Sequence, residues 1–199
     1  MSEPLVLVLV GTDIHPFDRL VTWVQAWLTG YAGAPPRCVV QHATSAPPSS
    51  PATGVAFLPH GELQQMVAAA TVVVCHGGPA TISECRAAGR LPVVVPRDSA
   101  LGEHVDGHQQ RFARMLGRSG LVRLAETESE LRAALDVAMR VPEEFAVSSS
   151  AGVIDLTGEP VRRVGDLVDS LIAARRQSHD RLLARPGGRA RKNRRARAR

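Results

Sequence analysis

Cys75-His76-Gly77-Gly78-Pro79-Ala80-Thr81-Ile82-Ser83-Glu84 is the stretch on which the fold of this chain turns. It begins where an apolar run, Thr71 to Cys75, ends, and such runs form strands buried on both faces of a parallel sheet. A helical pattern from Pro79 to Ala88 follows, and proline suits the first helical position, where its missing N–H would be unpaired anyway. The two glycines let the backbone approach a ligand closely. Unpaired amides at the helix start, together with the helix dipole, suit a diphosphate. Thr81 and Glu84 are three residues apart and share a helix face. A carboxylate there can accept hydrogen bonds from two ribose hydroxyls, as acidic residues do in dinucleotide sites. Taken alone, the stretch reads more simply as a Gly-Gly turn followed by a surface glutamate, so the flanking sequence has to decide.

Upstream, Leu5 to Val10 reads as a strand that ends at Gly11-Thr12. Phe17, Leu20, Val21, Val24 and Leu28 follow helical spacing. Arg37 to Gln41 is a second strand, Thr44 to Thr53 a Ser/Pro-rich loop, Val55 to Leu58 a short strand, and Leu63, Met66 and Val67 line a short helix. Downstream come a strand at Pro92 to Val95, a helix from about His108 to Leu116, a strand at Leu121 to Leu124 and a helix at Glu128 to Met139. Strands alternating with helices predict an α/β, Rossmann-like parallel sheet with helices on both faces, and ligands bind at the carboxyl ends of such strands. One domain is expected over residues 1–147, then a linker over 148–160, an amphipathic helix over 161–180 and an Arg-rich tail over 181–199. Val164, Leu167, Val168, Leu171 and Ile172 form one side of that helix, either a dock for a partner or a cover for the sheet.

The length of 199 residues suits one α/β domain. The longest apolar runs fall short of the ~20 residues of a membrane span, and the start carries no secretion signal, so a cytoplasmic chain is expected. Cys38, Cys75 and Cys85 form no CxxC pair and read as buried reduced thiols. The net charge of +5 is unevenly spread: nine of the 24 basic residues lie from Arg181 onward with no acid, leaving 15 against 19 and a net −4 over residues 1–180. A segment of that composition is expected to be disordered. Residues 181–199 contain no aromatic residue on which bases could stack, which argues against nucleic acid. An anionic membrane surface needs only the charge.

The glycine segment, Leu91-Pro92-Val93-Val94-Val95-Pro96-Arg97 and Gly102-Glu103-His104-Val105-Asp106-Gly107-His108-Gln109-Gln110 together resemble the C-terminal, donor-binding domain of glycosyltransferase family 28. The opening Val10-Gly11-Thr12 with His15-Pro16-Phe17-Asp18-Arg19-Leu20 resembles its small bacterial exopolysaccharide subunits. The catalytic subunit of the eukaryotic dolichol-linked N-acetylglucosaminyltransferase is similar too. The resemblance spans roughly residues 5 to 140 and implies one half of a GT-B glycosyltransferase.

It implies that Gly11, Thr12, Gly77 and Gly78 face the diphosphate and that Glu84 holds the ribose. Phe57 and Leu58, ending a short strand, match the segment whose backbone reads the uracil edge. His108 and Gln109 match the pair that contacts sugar hydroxyls, with Gln110 one register away. Ala80 and Phe112 depart from the family pattern, which has glycine and asparagine at those places. His15 and His76 are candidates to contact a phosphate or the sugar, His76 equally a packed strand-end residue. His104 and His108 have i,i+4 spacing, but Gly107 interrupts the helix and no third ligand is evident, so neither a metal nor another cofactor is expected. His42, His60 and His179 receive no role.

The activity implied is inverting transfer of a hexose from a UDP-sugar to an acceptor, with helix amides stabilising the leaving UDP. The general base is expected on a partner, a membrane-bound subunit that binds a lipid-linked acceptor in exopolysaccharide or glycolipid synthesis. This places the chain at the inner face of the cell membrane. A nucleotide-sugar-binding module without transfer activity, and a polyanion-binding protein acting through the tail, are the alternatives.

Overall fold

Leu5–Leu9 (β1) is buried at every position, as only a strand covered on both faces can be, and it lies third in a sheet of six. The structure, a computed structural model, describes residues 3–147 of the 199. The expected linker 148–160, helix 161–180 and tail 181–199 lie outside the described residues. Asp18–Thr29 (α1) follows β1, then Arg37–Gln41 (β2), Thr53–Val55 (β3), His60–Ala69 (α2), Val72–Cys75 (β4), Pro79–Ala87 (α3), Val93–Val94 (β5), His108–Arg118 (α4), Arg123–Leu124 (β6) and Glu128–Arg140 (α5). The sheet order is β3-β2-β1-β4-β5-β6, and every pairing is parallel.

The pleat sends alternate residues of β1 to opposite faces. Val6 and Val8 join Leu20, Val24, Trp27, Leu131 and Leu135 in one apolar cluster, which holds α1 and α5 to that face. Leu5, Leu7 and Leu9 are equally buried but lie outside this cluster. Helices α2 and α3 pack on each other, on the face that right-handed crossovers assign them. The indole N–H of Trp27 donates to the Asp136 carboxylate at 2.8 Å and ties α1 to α5. The start of α5 is fixed by a capping box between Thr127 and Glu130. All three cysteines are free and buried, and burial pushes the thiols of Cys38 and Cys75 up to about 12.

One expected element moves. The third strand covers 53–55 rather than 55–58, because its pairing runs Val39 with Thr53 to Gln41 with Val55 and stops where β2 stops. Phe57 and Leu58 therefore follow the strand instead of ending it. The strand expected at 92–95 shrinks to two residues between Pro92 and Pro96, which have no N–H to give to a ladder. Two short 3-10 turns, Ser99–Leu101 and Pro142–Phe145, carried no periodic signal in the sequence.

The loops beyond β1 and β5 are held together by Arg97, which is fully buried. Its guanidinium donates to the main-chain oxygens of Val10 at 2.7 Å, His15 at 2.6 Å and Glu103 at 2.9 Å, and it lies over the Phe17 ring. Arg19 grips the Glu103 carboxylate with two bonds of 2.8 and 2.7 Å and reaches Pro96 O at 2.9 Å. The same carboxylate accepts the Asp98 amide at 2.8 Å. Burial lowers the pKa of Arg97, and the Asp13 and Glu103 charges oppose that shift.

Replacing Arg97 strands three carbonyls at once. Arg97→Met is expected to lower unfolding stability by about 3 kcal/mol or more. Arg97→Lys should recover little of it, since an ammonium cannot span a planar set of acceptors as a guanidinium does. Urea unfolding of the two variants measures both effects, and a loss below about 1 kcal/mol for Arg97→Met would show that the loops stand without this clasp.

Candidate functional site

The strand order reverses between β1 and β4: the chain leaves β1 toward one face of the sheet and β4 toward the other. A crevice opens at such a switch point beyond the carboxyl ends of the strands. Here it is a cleft of about 350 Å³ lined by Gly11, Thr12, Phe57, Leu58, His76, Gly78 and Thr81, with Gln41, His60, Leu63, Pro79 and Ala80 among the other lining residues. Seven of the thirteen residues expected from the sequence thus meet in one place. His15, Gly77, Glu84, His108, Gln109 and Gln110 are not among the lining residues.

The floor of the cleft is His76. Its ring is lodged between Gly11 and Gly78: a Cβ on Gly11 would stand 2.7 Å from Cε1, and one on Gly78 would stand 2.5 Å from Nε2. Gly11 also has φ +86°, a conformation that other residues rarely adopt. The glycines read as room for a ligand are therefore first of all room for an imidazole. Burial, and next the charge of Arg97, push the His76 pKa down to about 4. The ring is neutral at ordinary pH and offers a phosphate no charge. Its Nδ1 is buried with no hydrogen-bond partner among the described residues.

The unpaired hydrogen-bond donors here belong to the backbone. Gly78 caps α3 and Pro79 takes its first position, so the Ala80 and Thr81 amides of the first turn have no acceptor within the helix. One turn on, Glu84 is half-buried rather than fully solvent-facing, and its Oε1 lies 3.6 Å from His60 Nδ1. His60, to which the sequence assigned nothing, is the first residue of α2 and stands in the cleft wall. Only the fold brings the two helices together.

Beside the cleft runs a string of alternating imidazoles and carboxylates. His15 Nδ1 meets Asp13 Oδ1 at 2.6 Å. His104 lies 3.7 Å from both Asp13 and Asp106, and His108 Nδ1 meets Asp106 at 2.8 Å. The His15 and His108 amides also donate to Asp13 and Asp106, at 2.9 and 3.0 Å. Those amides, then the same imidazoles, lower both carboxyl pKa values. The two aspartates were missed, although each sits in an Asp-x-His triplet, the signature of a side chain turned onto the amide two residues on. His104 and His108 are bridged by an aspartate, not stacked on one helix. Among the described residues no three His, Cys, Asp or Glu side chains are grouped to hold a metal. Gln109 Oε1 is buried without a partner among the described residues.

The glycosyltransferase family 28 C-terminal domain model matches residues 5–155. No curated protein sequence matches the chain. Among solved structures, the calicheamicin glycosyltransferase CalG4 is similar with a TM-score of 0.55 and 19% identity, over 87% of this chain and 44% of its own. MurG of Acinetobacter baumannii gives 0.51 and 17%, over 85% and 51%. The spinosyn forosaminyltransferase SpnP gives 0.51 and 18%, over 84% and 44%. At these identities the likeness is one of fold, and the chain spans no more than about half the length of each.

The buried imidazole makes stability depend on pH with a definite sign. Above the ordinary value of 6.5 His76 is neutral folded or unfolded, and the fold keeps its full stability. From there down to about 4 the unfolded chain takes a proton that the folded chain refuses. Stability should fall as pH drops through this window, by about 3 kcal/mol in all. His76→Gln should flatten that part of the profile in urea unfolding at a series of pH values. An unchanged slope in the variant would assign the acid sensitivity to other groups.

Proposed function

We propose that this chain, which belongs to the glycosyltransferase family 28 C-terminal domain family, is the donor-holding half of a UDP-sugar-dependent glycosyltransferase. The reading rests on one observation above all: the cleft lies where the strand order reverses, walled by Gly11-Thr12 on one side and by the start of α3 on the other. The diphosphate lies on the α3 amides, the ribose faces Glu84, and the uracil lies by Phe57, which is exposed, and Leu58, which is buried, in the segment that follows β3. His108 and Gln109, at the start of α4, hold the sugar. The leaving UDP gains its stabilisation from oriented amides that need no rearrangement as charge develops.

Transfer proceeds with inversion: an acceptor hydroxyl attacks the anomeric carbon, the bond to UDP breaks, and the hydroxyl proton passes to a base on the acceptor side. That wall we assign to a partner, as the resemblance of Val10-Gly11-Thr12 and His15-Pro16-Phe17-Asp18-Arg19-Leu20 to the small exopolysaccharide subunits implies. The acceptor is lipid-linked, in exopolysaccharide or glycolipid synthesis, and the partner brings the chain to the membrane. No helix among the described residues is long and apolar enough to cross a membrane.

UDP should bind the purified chain in calorimetry with the same affinity with and without EDTA, since amides and an uncharged imidazole line the site. Glu84→Ala should weaken that binding about tenfold without lowering the melting temperature, because the carboxylate's one side-chain contact among the described residues is a pair with the solvent-exposed His60, worth little to stability. Absence of UDP binding would overturn the donor-site reading. Efficient transfer to a lipid-linked acceptor by the chain alone would overturn the need for a partner.

A further inference from the structure

The cleft lining contains two residues able to carry a charge, His60 and His76, and His76 is held neutral by its burial. His60 is the other, and its side chain is 68% exposed, so no packing of the core explains its place. What the ring does meet is the Glu84 carboxylate, 3.6 Å away on a different helix. Among the described residues Glu84 has no other side-chain partner. A glutamate on a helix surface has several rotamers, and fixing one costs entropy. A partner across the cleft removes part of that cost before any ligand arrives.

We infer that His60 is a positioning residue of the nucleotide site, holding the Glu84 carboxylate toward the ribose hydroxyls of a nucleoside diphosphate. The inference rests on the donor-site reading above. His60 shares its wall with Phe57, Leu58 and Leu63, and Thr81, one helical turn before Glu84, stands in the lining with them. The His60–Glu84 pair therefore links the α2 side of the cleft to α3. A ligand whose diphosphate lies on the start of α3 presents its ribose to this pair.

Calorimetry on the full chain with UDP, 2′-deoxy-UDP and uridine separates the possibilities. The wild-type chain should prefer UDP to 2′-deoxy-UDP. Glu84→Ala and His60→Ala should each weaken UDP about tenfold and leave 2′-deoxy-UDP within about twofold, which erases the preference. His60→Asn, whose amide N–H can take the place of Nδ1–H, should restore most of it, an effect a merely structural role would not give. Melting temperatures should stay unchanged throughout. If His60→Ala weakens UDP and 2′-deoxy-UDP alike but spares uridine, the imidazole contacts phosphate and the inference falls. It falls too if the variant binds every ligand as the wild type does. If the wild-type chain binds no UDP, the donor-site reading itself falls, an outcome distinct from both.

Discussion

One guanidinium shared among three main-chain oxygens organises the working end of this molecule. Strands β1 and β5 are not neighbours, since β4 lies between them, and their loops have no sheet hydrogen bonds in common. Arg97 supplies the missing connection by taking Val10 O from the first loop and Glu103 O from the second, with His15 O beside them. Its charge matters as well as its shape. It is the second cause, after burial, of the low His76 pKa. A buried cation beside the floor of the cleft thus adds to the burial that keeps the floor itself uncharged.

In the donor-site reading proposed above, a strongly anionic ligand would be held with little help from basic side chains. The described residues contain no lysine, since the single lysine of the chain is Lys192. The described arginines are absent from the cleft lining. Attraction has to come from amide dipoles, which act at short range and only in the right direction. Such a site selects by geometry more than by charge. The carboxylates that flank it, Glu84 on α3 and Asp13 on the loop after β1, would repel a phosphate placed wrongly.

Most of the architecture was legible because it follows from periodicity. The continuous apolar runs of β1 and β4 and the spacing of Leu20, Val21, Val24 and Leu28 admit few other readings. The glycines at 11, 77 and 78 could be found, but half of their reason could not. That a histidine ring fills the space between Gly11 and Gly78 depends on the pairing of β1 with β4, which brings residues 65 positions apart side by side. The same holds for Arg97, whose acceptors are backbone atoms invisible to side-chain patterns, and for His60 with Glu84, on two helices joined only through β4. The third strand was misplaced because Val-Ala-Phe-Leu is more apolar than Thr-Gly-Val, and composition outweighed a register set by the neighbouring strand.

The two outermost strands are the shortest kind of edge a sheet can have, three residues in β3 and two in β6. On one side Pro48 crowds Gly54 so closely that a Cβ there would stand 2.8 Å from its ring. On the other, Arg123 is drawn over the Phe145 ring and toward Glu144. An edge so brief and so furnished gives a foreign strand almost no template on which to add. A sheet of nearly pure valine and leucine at its centre thus offers, among the described residues, only short and obstructed edges for growth through its own hydrogen bonds.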